Sequence, residues 1–142
     1  HFHFLLRIKE SNELPEFYRM GKRKLHQPFS NLFNAYSKAI NKKYSRTGSL
    51  FQEHLHRVKI DSEEYFKQLI LYIHLNPEIH NFTDDFSSYI YSSYKTCLTY
   101  SSCWIKRSAV INYFEDKENF VYCHQQRKLK LKIIREIGVL DE

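Results

Sequence analysis

The sequence predicts an α+β fold, and three features carry that prediction. Two short apolar segments near residues 1–8 and 50–60 read as strands. Two longer stretches repeat their apolar residues at helical spacing. The chain has 142 residues, of which 42% are hydrophobic, enough to close a core.

In chain order, His1 to Ile8 (HFHFLLRI) reads as a buried strand, short and apolar. The polar stretch that follows contains Pro15, Gly21 and Pro28, and GKRKLHQP within it reads as a basic loop. Ser30 or Asn31 is placed to cap a helix through Leu32, Phe33, Tyr36, Ala39, Ile40 and Tyr44. Gly48 permits a turn in SRTGS, and Leu50 to Ile60 alternates as a second strand. Asp61 or Ser62 caps the next helix, expected over 62–75. Glu63 and Glu64 favour its first turn, Phe66, Leu69, Ile70 and Ile73 form its apolar stripe, and Pro77 marks its end. Beyond a Ser/Thr/Tyr-rich loop, a short helix or turn is expected at 91–98 and a short helix at 108–114. A further helix is expected over 116–126, followed by a basic amphipathic tail, RKLKLKIIREIG.

Composition limits the function classes. The longest apolar runs are too short to span a bilayer, and no signal peptide is visible. Three cysteines without a CxxC pair argue against a disulfide framework or a zinc site and fit reduced thiols in a cytoplasm. The net charge of +6, with 11 Tyr and 11 Phe, suits a nucleic-acid partner, because cations meet phosphates and rings stack on unpaired bases. It equally suits a basic protein whose rings fill its core.

The chemistry-bearing residues are His1, His3, Tyr72 and Asn76. On a strand, positions i and i+2 share a face, so His1 and His3 can present two imidazoles to one metal. His54 and His56 form a second pair with the same spacing, and either pair could bind metal. Tyr72 and Asn76 are four residues apart and project from one helix face. A tyrosine oxygen can attack a phosphodiester and hold the DNA covalently, and a divalent cation can polarise the same phosphate.

These residues also carry a resemblance. Tyr72-Ile73-His74-Leu75-Asn76-Pro77 (YIHLNP) resembles the tyrosine motif of the REP-associated tyrosine transposases, relatives of the insertion-sequence-200 transposases in the His-hydrophobic-His superfamily. His1-Phe2-His3 resembles that family's metal motif. Gly48-Ser49-Leu50-Phe51-Gln52 and Tyr91-Ser92-Ser93-Tyr94 are similar to two further landmarks, in the family's order.

The resemblance covers about residues 1–94 and implies an antiparallel sheet with helices packed on it, in a ferredoxin-like arrangement. The family places a strand and a helix before its metal strand. A chain opening on His1 is therefore expected to be an N-terminally incomplete copy, with a catalytic domain over 1–100 and a helical extension over 101–142. After Pro77 the sequence Glu78-Ile79-His80-Asn81 departs from the family's apolar and small or basic continuation.

The implied activity is cleavage and rejoining of single-stranded or hairpin DNA through a 5′-phosphotyrosine. Tyr72 would be the nucleophile, and His1, His3 and Asn76 would be ligands to Mg²⁺ or Mn²⁺. The alternative is a domesticated or truncated relative that binds DNA hairpins without cutting them. A bacterial, nucleoid-associated protein, monomeric or homodimeric, is expected. Lys22, Arg23 and Lys24, then Lys42, Lys43 and Arg46, are the candidate DNA contacts; Lys38 and the tail from Arg127 to Arg135 add positive charge. Tyr89, Tyr91 and Tyr94 are candidates for stacking on bases.

Overall fold

The computed structural model describes residues 3–51, 57–99 and 103–136, the last four by their backbone alone. Among the described residues, six α-helices run in chain order: α1 (Glu16–Arg19), α2 (Gln27–Lys43), α3 (Glu63–Ile79), α4 (Tyr94–Leu98), α5 (Arg107–Asn112) and α6 (Lys117–Glu136). Two single 3₁₀ turns, Ser11–Glu13 and Phe86–Ser88, complete the regular structure.

The expected sheet is not there: the described residues hold no strand, and the α+β assignment is corrected to a helical one. The reason lies in pairing. A short alternating segment becomes a strand only when a neighbour completes its hydrogen-bond ladder. Phe4, Leu6 and Ile8 instead remain 58%, 54% and 49% exposed, and the segment continues without regular structure to Glu10. Residues 57–60 also lack strand pairing, while 52–56, the middle of the second expected strand, lie outside the described residues.

The chain divides into two units, Phe4–Val58 and His1–His3 with Lys59–Glu142. In the first, α2 starts at Gln27, earlier than Ser30 or Asn31, because Pro28 is tolerated in a first helical turn whose N–H groups have no intrahelical partner. Its packing is aromatic: Phe33 meets Phe51 edge to face at 5.3 Å, and Arg23 lies 5.2 Å above the ring of Phe17. The turn after α2 is held by Asn41, whose Nδ2 donates to the carbonyl of Gly48 at 2.9 Å. Gly48 has φ of +88°, a region in which a side chain would be strained.

The second unit is built around α3. Ser62 starts the helix, its hydroxyl oxygen accepting the Tyr65 N–H at 3.2 Å. The helix does not stop at residue 75. Pro77 lies inside it, and the end comes at Ile79. Asn81 then adopts φ of +57°, so that its N–H reaches the Glu78 carbonyl at 3.2 Å and the Phe82 N–H reaches the Pro77 carbonyl at 2.8 Å. That paired closure satisfies carbonyls the helix end would otherwise leave open.

The buried residues of α3 are Ile70, Leu71, His74, Leu75 and Asn76, a set that differs from the stripe expected through Phe66, Leu69, Ile70 and Ile73. The helix packs against α6 and the Phe86 turn. Phe86, Phe114 and Phe120 are at most 1% exposed and form an aromatic core with Tyr94. Residues 103–136 thus belong to the same unit as α3, and α6 runs without a break from Lys117 into the basic tail, as far as Glu136. Lys128 on α6 ties this arrangement at its rim, with its Nζ 3.2 Å from the Glu78 carboxylate, whose other oxygen accepts the Phe86 N–H at 3.0 Å.

Candidate functional site

Tyr72 and Asn76 lie on one uninterrupted helix, one turn apart along the same side. They differ in access. Tyr72 is 37% exposed, and Asn76 is buried at 7%. The structure brings His3 to this face: its ring meets that of Tyr72 edge to face, with centroids 5.4 Å apart.

His80, at the C-terminal cap of α3, bears on the same region. The His3 pKa is lowered, first by partial burial and then by neighbouring positive charge, to which His80 contributes.

The Asn76 side chain has a buried Nδ2 without a hydrogen-bond partner among the described residues. An orphaned buried amide group costs on the order of 1–3 kcal/mol and calls for an explanation. Turning the amide by 180° exchanges its nitrogen and oxygen and places an acceptor at that point. A cation is one group that would satisfy it.

An imidazole and an amide oxygen are donor types that a hard divalent ion can accept. One imidazole and one amide oxygen leave most of the shell to water and phosphate, as Mg²⁺ and Mn²⁺ accept. No group of three or more His, Cys, Asp or Glu capable of holding a metal occurs among the described residues. His1 lies outside the described residues, as do His54 and His56, so neither histidine pair has a described geometry.

The basic candidates stand apart from these residues in the chain's organisation. Lys22, Arg23, Lys24, Lys42, Lys43 and Arg46 all belong to the unit Phe4–Val58 and are all exposed. Arg23 is stacked on Phe17, and the Lys43 Nζ lies 5.3 Å from the ring centroid of Tyr44. Of the three candidate stacking tyrosines, Tyr94 is a core ring at 4% exposure, whereas Tyr91 is 83% exposed and meets Tyr89 edge to face at 5.7 Å.

The most highly organised polar feature was not anticipated from the sequence. His74, at 3% exposure, has both ring nitrogens engaged: Nδ1 lies 2.9 Å from His124 Nε2, and Nε2 lies 2.8 Å from Ser93 Oγ. His124 is fully buried, and its Nδ1 lies 2.7 Å from the Phe120 carbonyl.

A carbonyl can only accept, and this determines every proton in the chain. His124 Nδ1–H donates to Phe120, so its Nε2 must accept from His74 Nδ1–H. His74 Nε2 must then accept from the Ser93 hydroxyl. Both imidazoles are neutral in this arrangement. Burial pushes His74 down to about 3, with the charge of His124 adding to the effect. Burial likewise pushes His124 down to about 4, against the opposing pull of its bond to Phe120. One signal was available beforehand: a helical stripe through residues 70, 71, 74 and 75 places His74 inside. Its partners, 19 and 50 residues later in the chain, had no local signal.

Comparison of the chain with models of known protein families, with curated proteins and with solved structures finds no match. Among the described residues, no helix is long and apolar enough to cross a membrane.

Proposed function

We propose that this protein is a metal-dependent transferase of single-stranded DNA strands, of the kind found in the REP-associated tyrosine transposases, with Tyr72 as its nucleophile. The observation that carries the reading is the contact of His3 with Tyr72, one helical turn from Asn76. Two residues at opposite ends of the sequence motifs share one face. The reading rests on this constellation of residues and on the order of the motifs, and it makes no use of a sheet.

In this scheme the phenol of the half-exposed Tyr72 loses its proton and attacks a DNA phosphorus. A phosphotyrosine bond forms as the bond from phosphorus to the leaving sugar oxygen breaks, and that oxygen takes up a proton. The reverse attack by a sugar hydroxyl releases Tyr72 and rejoins DNA. His1, His3 and Asn76 would hold Mg²⁺ or Mn²⁺, which supplies charge neutralisation at the phosphate. Ring packing against His3 limits the positions the Tyr72 oxygen can take. Lys22, Arg23, Lys24, Lys42, Lys43 and Arg46, exposed in the first unit, would contact phosphates without reading sequence. The setting is bacterial and nucleoid-associated, and a monomer or homodimer would serve.

Incubation with a 3′-labelled hairpin oligonucleotide and Mn²⁺ should yield a labelled covalent protein–DNA adduct that survives denaturation. Tyr72→Phe should abolish it, because only the attacking oxygen is removed. An undiminished adduct in Tyr72→Phe rejects the assignment. Hairpin affinity without any adduct from the wild-type chain would favour the non-cleaving, domesticated DNA-binding relative. No affinity at low salt would remove both readings.

A further inference from the structure

The buried chain Ser93–His74–His124 stands outside the chemistry proposed for Tyr72, yet it is anchored on the same helix. His74 is two residues from Tyr72 and two from Asn76. At about 100° per residue, both project from the side of α3 roughly opposite His74. Whatever sets the rotation of α3 at His74 therefore sets where Tyr72 and Asn76 point.

His74 is held from two directions. His124 comes from α6, and Ser93 precedes the first turn of α4. Each ring nitrogen has one partner with one allowed direction of donation, so the imidazole has a single satisfied orientation. A rotation of α3 about its axis would break both bonds and strand buried polar atoms. Neighbouring apolar packing alone is less directional, because a methyl group tolerates rotation that a hydrogen bond does not.

We infer that the Ser93–His74–His124 hydrogen-bond chain is a positioning device that fixes the rotation of α3 and so holds Tyr72 and Asn76 toward His3. It makes Ser93, His74 and His124 positioning residues. The inference rests on Tyr72 being the reacting group, and it links the YIHLNP and YSSY segments through one physical bond, His74 to Ser93. It also assigns α6 a part in the site through His124.

The test uses the full chain with Ser93→Ala, Ser93→Thr and Ser93→Cys. Ser93→Ala removes the donor to His74 with little change in volume, Ser93→Thr retains a hydroxyl, and Ser93→Cys offers a weaker donor. Two quantities are read: the nuclear Overhauser contact between the His3 and Tyr72 rings without DNA, and the single-turnover rate of adduct formation at saturating hairpin DNA. Ser93→Ala should lose the ring contact and slow the chemical step by about tenfold at unchanged DNA affinity. Ser93→Thr should restore both, and Ser93→Cys should fall between them and carry the test if Ser93→Ala does not fold. A folded Ser93→Ala or Ser93→Cys protein that keeps both the ring contact and the wild-type rate would overturn the inference. If the wild-type chain forms no adduct, the nucleophile assignment fails. Loss of the ring contact in Ser93→Ala, restored in Ser93→Thr, would still support positioning by the hydrogen-bond chain.

Discussion

Nδ1 of His74 and Nε2 of His124 lie 2.9 Å apart inside the core, joining α3 to α6 through two neutral imidazoles. Neither ring can take a proton without losing an acceptor, so the bond is a point of acid sensitivity as well as of specificity.

Stability should therefore fall in a defined pH window. The two folded-state pKa values are depressed, to about 3 and about 4, whereas an unfolded histidine titrates near 6.5. Below about pH 6.5 the unfolded chain binds protons that the folded chain refuses, and stability is lost as the pH falls toward the folded values. Each buried histidine contributes a slope of up to about 1.4 kcal/mol per pH unit across that range. Urea denaturation followed by circular dichroism at pH 7.0, 6.0 and 5.0, above the main carboxylate range, tests this. A midpoint that does not move across the series would contradict the neutral, hydrogen-bonded pair.

The three thiols should separate kinetically. Cys97 is 2% exposed, and burial pushes its thiol up to about 11, with Cys103 adding to the rise. Cys103 is exposed. With a disulfide reagent at pH 8, Cys103 should react fastest and Cys97 only on unfolding, because the thiolate is the reactive form. Peptide mapping of the modified protein identifies the order, and early labelling of Cys97 would refute the burial.

Phe120 should be among the costliest side chains to remove. It is 0% exposed and packs against Phe114, Tyr94 and the rings of His74 and His124. Phe120→Ala should cost about 3–5 kcal/mol, while Trp104→Ala, at a fully exposed ring, should change stability by no more than about 0.5 kcal/mol. Equilibrium urea unfolding of the two variants gives the comparison.

The ends of α3 should respond in opposite ways to small substitutions. Ser62→Ala removes the acceptor for the Tyr65 N–H and should cost about 1 kcal/mol. Asn81→Gly should be neutral or stabilising, because φ of +57° suits glycine, whereas Asn81→Val should destabilise. Thermal melts of the three variants rank these effects, and a stabilised Asn81→Val would contradict the observed closure of the helix.

Local signals determined a large share of the structure. Ser62 caps α3 as its hydroxyl and the following glutamates imply, and short helices occur near 91–98 and 108–114. Capping and helical spacing depend on residues within a few positions of one another, so the sequence alone exposes them. The one-turn relation of Tyr72 to Asn76 is legible for the same reason. The sheet was not, because HFHFLLRI has a strand's pattern but a strand exists only through a partner, and the described residues provide none. Pro77 was likewise expected to mark the end of its helix, at residue 75, and the helix instead runs four residues further to Ile79, where Asn81 and Phe82 close it.

Tertiary structure decided three things. It placed His3 against Tyr72, it buried His74 with His124 and Ser93, and it joined α6 to the unit that holds Tyr72. Each depends on groups separated by 19 or more positions in the sequence, whose meeting reflects the packing of whole helices and the need to pair every buried polar atom. The motif marks Tyr72 as the proposed nucleophile, whereas its contact with His3 is a product of tertiary packing.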